Sequence, residues 1–284
     1  MQNIEPASAD LPNFDTTNPP LLSEVVFENQ GARLNAIIYE AQGPGPHPTV
    51  VLLHGFPGNE RNLDLAQAIR RAEWNVVFFH YRGAWGSGGQ FSFLHVIEDV
   101  AAVVEAIGEP AFAAQYRIDP DRIALVGHSM GGFAALISGA ELPAVDCVVS
   151  MAGANMGAMV REMENQPEQA AAFAASLDGW AGPIQGPGGE KLIQQIVENA
   201  GRFDTVAQAS ALAGKRLLLI AGGRDVVTPA PIHHLPLVEA LEAQGATSLE
   251  TTVFENGDHA FSGQRIALAR RVTDWLQIAC APGD

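Results

Sequence analysis

Apolar positions fall in two patterns along the chain. Up to residue 48, two strand-like runs, 22–29 and 32–41, meet at Gln30-Gly31, which is a hairpin signal; residues 43–48 follow as a proline and glycine loop. Beyond it come short, uninterrupted apolar runs at 49–53, 75–79, 122–126, 145–150 and 216–220. Runs this short and this apolar predict strands covered on both faces, as in a parallel sheet. A further strand is expected at 249–254. Helix-like stretches lie between or after them, at 61–71, 95–107, 130–142, 231–243 and 264–278. Strand and helix therefore alternate, which predicts an α/β sheet with crossover helices and a ligand site at the carboxyl ends of its strands.

Two regions depart from the alternation. Residues 1–21 are polar and rich in Pro, Asn and Asp, and are expected to form an extended lead-in. Residues 153–204 lack a clear apolar strand and read as a helical cap inserted into a core made of 22–152 and 205–284.

Chemistry concentrates where the apolar runs end. Gly127-His128-Ser129-Met130-Gly131-Gly132 closes one run and opens a helix-like stretch. A serine hydroxyl is a weak nucleophile unless it is held exposed beside a base. A tight strand-to-helix turn with small flanking residues provides that exposure. Asp225 follows the run at 216–220, and His259 follows the run at 249–254. Both sit at strand ends, from which they can converge on Ser129. In that arrangement Asp225 accepts the Nδ1 proton of His259 and His259 takes the serine proton. Asp258 and Glu255 are rival acids, but they are close enough to His259 to serve its own turn. His233 and His234 are expected at the surface.

His54-Gly55-Phe56-Pro57-Gly58 closes an early strand. Acyl transfer needs backbone N–H groups aimed at the developing oxyanion. Phe56 and Met130 can supply them, whereas Pro57 has no N–H. His54, His80 and His128 each end a strand and are candidates to line the site; at such positions His54 and His128 are more often backbone supports than ligands.

Together these segments resemble the α/β-hydrolase superfamily, from about residue 22 to the C-terminus. The order Ser129, Asp225, His259 matches it, as does the His54-Gly55 segment. The resemblance implies a mostly parallel eight-stranded sheet, helices on both faces, a triad at its top and a cap after the sixth strand. Tyr81-Arg82-Gly83-Ala84-Trp85-Gly86-Ser87-Gly88-Gly89 is similar to a loop of prolyl-oligopeptidase-like peptidases and related acyl esterases. Those peptidases usually carry an N-terminal propeller, for which there is no room here, so the comparison favours a compact esterase. Trp85 either lines the substrate pocket or packs on the sheet. In the cap region Met156, Met159 and Met163 are spaced to share one helical face, with Phe173 and Trp180 after them. That face either closes over an acyl or aromatic group or packs on the core.

Composition narrows the partners. The 284 residues carry 32 Asp and Glu against 16 Lys and Arg, a net charge of −16. Nucleic acid needs clustered basic residues and is not an expected partner. No apolar stretch is long enough to span a bilayer. The start has neither a basic segment nor an apolar h-region, so no signal peptide and a cytoplasmic location are expected. Cys147 reads as a small core residue; neither a disulfide framework nor a metal site is expected. The predicted activity is hydrolysis of a small carboxylic ester through an acyl-enzyme, without cofactor. An aminopeptidase or amidase, an acyltransferase and a non-catalytic binding protein are the alternatives.

Overall fold

The structure is a computed structural model that describes residues 5–180 and 182–280, without the side chains of 164, 165 and 167. Among the described residues it contains eight strands and eleven helices. The strands are β1 (Leu21–Asn29), β2 (Ala32–Glu40), β3 (His47–Leu53), β4 (Asn75–Phe79), β5 (Ile118–His128), β6 (Val145–Met151), β7 (Arg216–Gly222) and β8 (Leu249–Phe254). The helices are α1 (Leu63–Arg71), α2 (Phe93–Gly108), α3 (Pro110–Gln115), α4 (Met130–Glu141), α5 (Met156–Asn165) and α6 (Pro167–Asp178), followed by α7 (Gly189–Glu198), α8 (Ala209–Leu212), α9 (Ala230–His233), α10 (Leu235–Ala243) and α11 (Arg265–Ala279).

The strands form one sheet in the order β1-β2-β4-β3-β5-β6-β7-β8. Only the β1–β2 and β2–β4 pairs are antiparallel. The β1–β2 turn is set by Gln30 and Gly31, both at positive φ, which suits a two-residue hairpin loop. The period of two along each strand sorts side chains between two cores. Val51, Leu53, Val77, Phe79 and Leu125 face one core, closed by α2, α4 and α10. Val50, Leu52, Val76, Phe78 and Val126 face the other, closed by α1 and α11. Both faces are covered, which is why these strands read as continuous apolar runs.

Several boundaries differ from the sequence expectation. The first helix starts at Leu63 rather than 61, because Asn62 lies in the left-handed region. The stretch 231–243 divides into α9 and α10 at His234, with Pro236 in the first turn of the second helix. Pro110 opens the short helix α3, which the pattern did not predict. Residues 5–20 form turns instead of an extended lead-in: Ser8 N–H donates to Glu5 O, and Asp15 Oδ1 accepts from Thr17 and Asn18. Residues 1–4 of that lead-in lie outside the described residues.

The cysteines also differ. Cys147 at the start of β6 and Cys280 at the end of α11 form a disulfide, with Cα atoms 6.2 Å apart. Cys147 faces the core that α11 covers, and the last turn of that helix carries Cys280 across it. A separation of 133 residues hides this proximity in the sequence.

Candidate active site

The strand β5 ends at His128 and α4 begins at Met130, so Ser129 alone makes the turn. Its φ of 59° and ψ of −119° lie in a region that L-residues rarely occupy. The turn is affordable only among glycines. A Cβ on Gly127 would lie 2.0 Å from Gly131 O, and one on Gly131 would lie 2.1 Å from Leu53 O. Backbone bonds hold the strained residue: Ser129 N–H donates to Met151 O at 3.0 Å, and Ala154 N–H to Ser129 O at 3.1 Å.

Ser129 Oγ lies 2.9 Å from His259 Nε2, and His259 Nδ1 lies 2.8 Å from Asp225 Oδ2. The serine and histidine are half-buried, whereas the Asp225 side chain is fully buried. Asp225 Oδ1 accepts the N–H groups of Val227 and Thr228 at 2.8 and 2.9 Å. Thr228 Oγ1 lies 2.8 Å from Asp225 Oδ2 and 2.9 Å from Ala152 O, one proton between two acceptors. Burial pushes the Asp225 carboxyl up, but the hydrogen bond from His259 and those from Thr228 outweigh it and hold the group at about 2. It is therefore a carboxylate at neutral pH. The rival Asp258 instead accepts from Ser262 N–H at 2.8 Å, within its own turn.

The loop after β3 lies against the serine. A Cβ on Gly55 would come within 2.9 Å of Ser129 Cβ, so only glycine permits this approach. Phe56 follows it directly. Met130 is the first residue of α4, whose N–H has no intrahelical acceptor. The positive end of α4 also favours an anion at this point.

The chain matches the alpha/beta hydrolase family over residues 50–271. It belongs to that family. Two Escherichia coli proteins, each described as an uncharacterized 31.7 kDa protein in the traX-finO intergenic region, are 30% identical to it over 158 residues. That match spans 54% of this chain and 53% of theirs, about half the length of these relatives. Among solved structures, a 2,6-dihydroxy-pseudo-oxynicotine hydrolase superposes with a TM-score of 0.68 at 20% identity, over 93% of this chain and 69% of its own. Est1E from Butyrivibrio proteoclasticus gives 0.66 at 18% identity, over 90% and 99%. Est1E has also been solved with ferulic acid bound. A Pyrococcus horikoshii acylaminoacyl peptidase gives 0.65 at 14% identity, over 91% of this chain and 41% of its own.

In this family member, most of the other candidate site residues support backbone or pack on the core. His54 and His128 are buried, 1% and 3% exposed, and each holds backbone. His54 Nδ1 donates to Gly55 O at 2.7 Å. His128 Nε2 donates to His259 O at 2.7 Å and so fixes the backbone that carries that imidazole. Trp85 is half-buried, and its Nε1 donates to Pro57 O at 2.6 Å beneath the Arg61 guanidinium. It braces the loop beside the serine. Met156 is buried in the α2–α4 core and Met159 packs against that core. Trp180 is exposed. The methionine face thus packs inward, leaving no free apolar surface at Met156.

The sequence reading missed three participants. Thr228 could have been found as the Thr of Asp-x-x-Thr, since an aspartate commonly accepts from residues two and three further on. His233 is buried rather than at the surface, and its Nδ1 accepts from Asn155 N–H at 3.0 Å. Burial holds its imidazole down at about 4. Asn155 in turn caps α5 and bonds Asp204 at 2.8 Å, which ties together the two ends of the segment between β6 and β7. Nothing local in the sequence marks that link.

Proposed function

We propose that this chain is a serine hydrolase that cleaves carboxylic esters through an acyl-enzyme. The observation that carries this reading is the unbroken line from Ser129 Oγ to His259 Nε2, and from His259 Nδ1 to Asp225, at 2.9 and 2.8 Å. Ser129 Oγ attacks the ester carbonyl as His259 Nε2 takes its proton. The tetrahedral oxyanion is stabilised by the N–H groups of Phe56 and Met130. The carbonyl re-forms, the alkoxide leaves with the proton held by His259, and the acyl group stays on Ser129. Water, deprotonated by His259, then attacks the acyl-enzyme, and the second collapse releases the acid and returns the proton to Ser129. Asp225 remains ionised throughout and stabilises the imidazolium.

One observation favours esters over peptides. The likeness to Est1E runs over 99% of that esterase, whereas the likeness to the acylaminoacyl peptidase covers 41% of that chain. Residues 153–204 are assigned as a cap over the site; Phe56 packs on the buried Phe91, with ring centroids 5.4 Å apart. The substrate is assigned as a small neutral ester. No helix among the described residues is long and apolar enough to cross a membrane. The Cys147–Cys280 disulfide supports an oxidising compartment over the cytoplasm.

The test is turnover of a nitrophenyl-ester series, with matched anilides and a hydroxycinnamate ester, by wild type and Ser129→Ala. Ester turnover should fall at least ~10⁴-fold in the variant. Anilide turnover equal to ester turnover would turn the reading to an amidase. Turnover that survives in Ser129→Ala would overturn it.

A further inference from the structure

The loop from His54 to Gly58 is held by its carbonyl oxygens. Tyr81 Oη donates to His54 O at 3.1 Å, and His54 Nδ1 to Gly55 O at 2.7 Å. Trp85 Nε1 donates to Pro57 O at 2.6 Å, and Arg61 Nε to Gly58 O at 3.3 Å. The second of these bonds matters most. Gly55 C=O and Phe56 N–H belong to one planar trans peptide, with the donor and the acceptor on opposite sides. Fixing the direction of the carbonyl fixes the direction of the N–H.

The protons on this chain of groups follow from chemistry. A carbonyl only accepts, so His54 Nδ1 carries hydrogen. Burial, then His80, holds His54 at about 3, so the ring is neutral and Nε2 is bare. His80 Nδ1 lies 3.2 Å from that nitrogen, so it must donate. Burial, with Arg61 nearby, holds His80 at about 4, and its own Nε2 is then a bare acceptor. His80 lines a groove of about 300 Å³ with Asn35, Ile37, Arg61 and Phe78.

Shape alone cannot set the His54 ring. Phe78, His80 and Tyr81 surround it with centroids at 5.8, 5.1 and 4.6 Å, and a ring flip leaves nearly the same outline. The alternative tautomer would place a bare Nδ1 against Gly55 O, a lone-pair repulsion. Gly55 O favours the Nδ1–H tautomer, and a donor at Nε2 reinforces it and holds the ring against the flip.

We propose that His80 is a positioning residue for the oxyanion hole: its Nδ1–H holds the ring orientation of His54 and reinforces its tautomer, and through them the Gly55–Phe56 peptide. This rests on the reading of Ser129 as an acyl-transfer nucleophile. A hydrogen bond to the carbonyl also polarises the peptide and strengthens the N–H on its other side.

The experiment compares wild type, His80→Phe and His80→Asn. Phenylalanine fills the space without a donor, whereas the asparagine Nδ2 can stand where His80 Nδ1 stands. Loss of an oxyanion donor costs roughly 10²–10³ in kcat, so a misaimed one should cost about 10–100-fold. His80→Phe should show that loss in kcat with KM little changed, and a matching loss of affinity for a trifluoromethyl ketone that mimics the tetrahedral state. His80→Asn should recover most of both. Equal losses in the two variants, or losses that follow their melting temperatures, would overturn the proposal. Imidazole ¹⁵N shifts read the relay without activity: His54 should be Nδ1-protonated, with an Nε2 shift that shows the His80 hydrogen bond in wild type and His80→Asn and moves to the unbonded value in His80→Phe. A His54 protonated at Nε2 in wild type, or unmoved by His80→Phe, would overturn it as well. Absence of Ser129-dependent turnover would defeat the proposed function alone, since the shifts still decide the relay.

Discussion

Asp225 receives two backbone N–H groups and a share of one hydroxyl, while its second oxygen holds His259. The backbone bonds orient the carboxylate and the charge orients the imidazole, so the two contributions can be separated. Asp225→Asn keeps the size but replaces the acceptor facing His259 Nδ1, favouring the wrong tautomer. The expected loss is about 10⁴ in kcat with the fold retained. Thr228→Val removes only the shared hydroxyl, worth about 1 kcal/mol, and should cost less than tenfold. Steady-state kinetics on one ester checks both; comparable losses would mean that the acid is held chiefly by the hydroxyl. Ser129, Asp225 and His259, which the structure brings within hydrogen-bond distance, were legible because each follows the end of an expected strand, where α/β sheets place their chemistry. Roles for His54, His128 and Trp85 were not assignable in the same way. A strand-end position brings a residue near the site, but burial and partner atoms decide whether it touches a substrate or the backbone behind it.

Elements were legible to the extent that they bury both faces. The five uninterrupted apolar runs all lie in strands, because covering helices leave little room for polar side chains there. The segment between β6 and β7 was much less so, since its attachment runs through backbone atoms. Trp85 N–H donates to Pro183 O at 2.8 Å, Gln185 N–H to Gly83 O at 2.7 Å and Phe91 N–H to Gln185 O at 2.6 Å. Gly83 permits this approach: its φ is +68°, and a Cβ would lie 2.4 Å from Gln185 O. These bonds fasten the α6–α7 connection to the loop that carries Trp85, and no side-chain pattern records them. Gln185→Pro deletes one donor without touching the triad. Proteolysis between residues 182 and 188 should then quicken several-fold, as expected for a local loss of about 1–3 kcal/mol. Cleavage at the wild-type rate would show that helix packing, not this ladder, holds the segment.

For the molecule as a whole, stability is coupled to both redox state and pH. The disulfide closes a loop of 133 residues, so Cys147→Ser should lower the unfolding free energy by about 2–5 kcal/mol, read by denaturant titration. An unchanged midpoint would mean that the bond is dispensable in the compartment where the protein works. The pH dependence follows from the buried histidines. His54 is held at about 3, and His128 and His233 at about 4, each first by burial. In the unfolded chain each takes up a proton near pH 6.5. As the pH drops below that value, the unfolded state binds protons that the folded state refuses, and stability falls until the folded values are reached. Each such group contributes up to about 1.4 kcal/mol per pH unit inside that window and nothing above it. Asp225, held at about 2, adds a loss only below the ordinary carboxylate range. The denaturation midpoint should therefore be level above pH 7 and drop steeply between pH 6.5 and 4, a fall that begins above the range in which the carboxylates titrate. A midpoint at pH 4.5 equal to that at pH 7.5 would mean that these imidazoles are charged in the fold, and with them the tautomers assigned to His54 and His80 would fall.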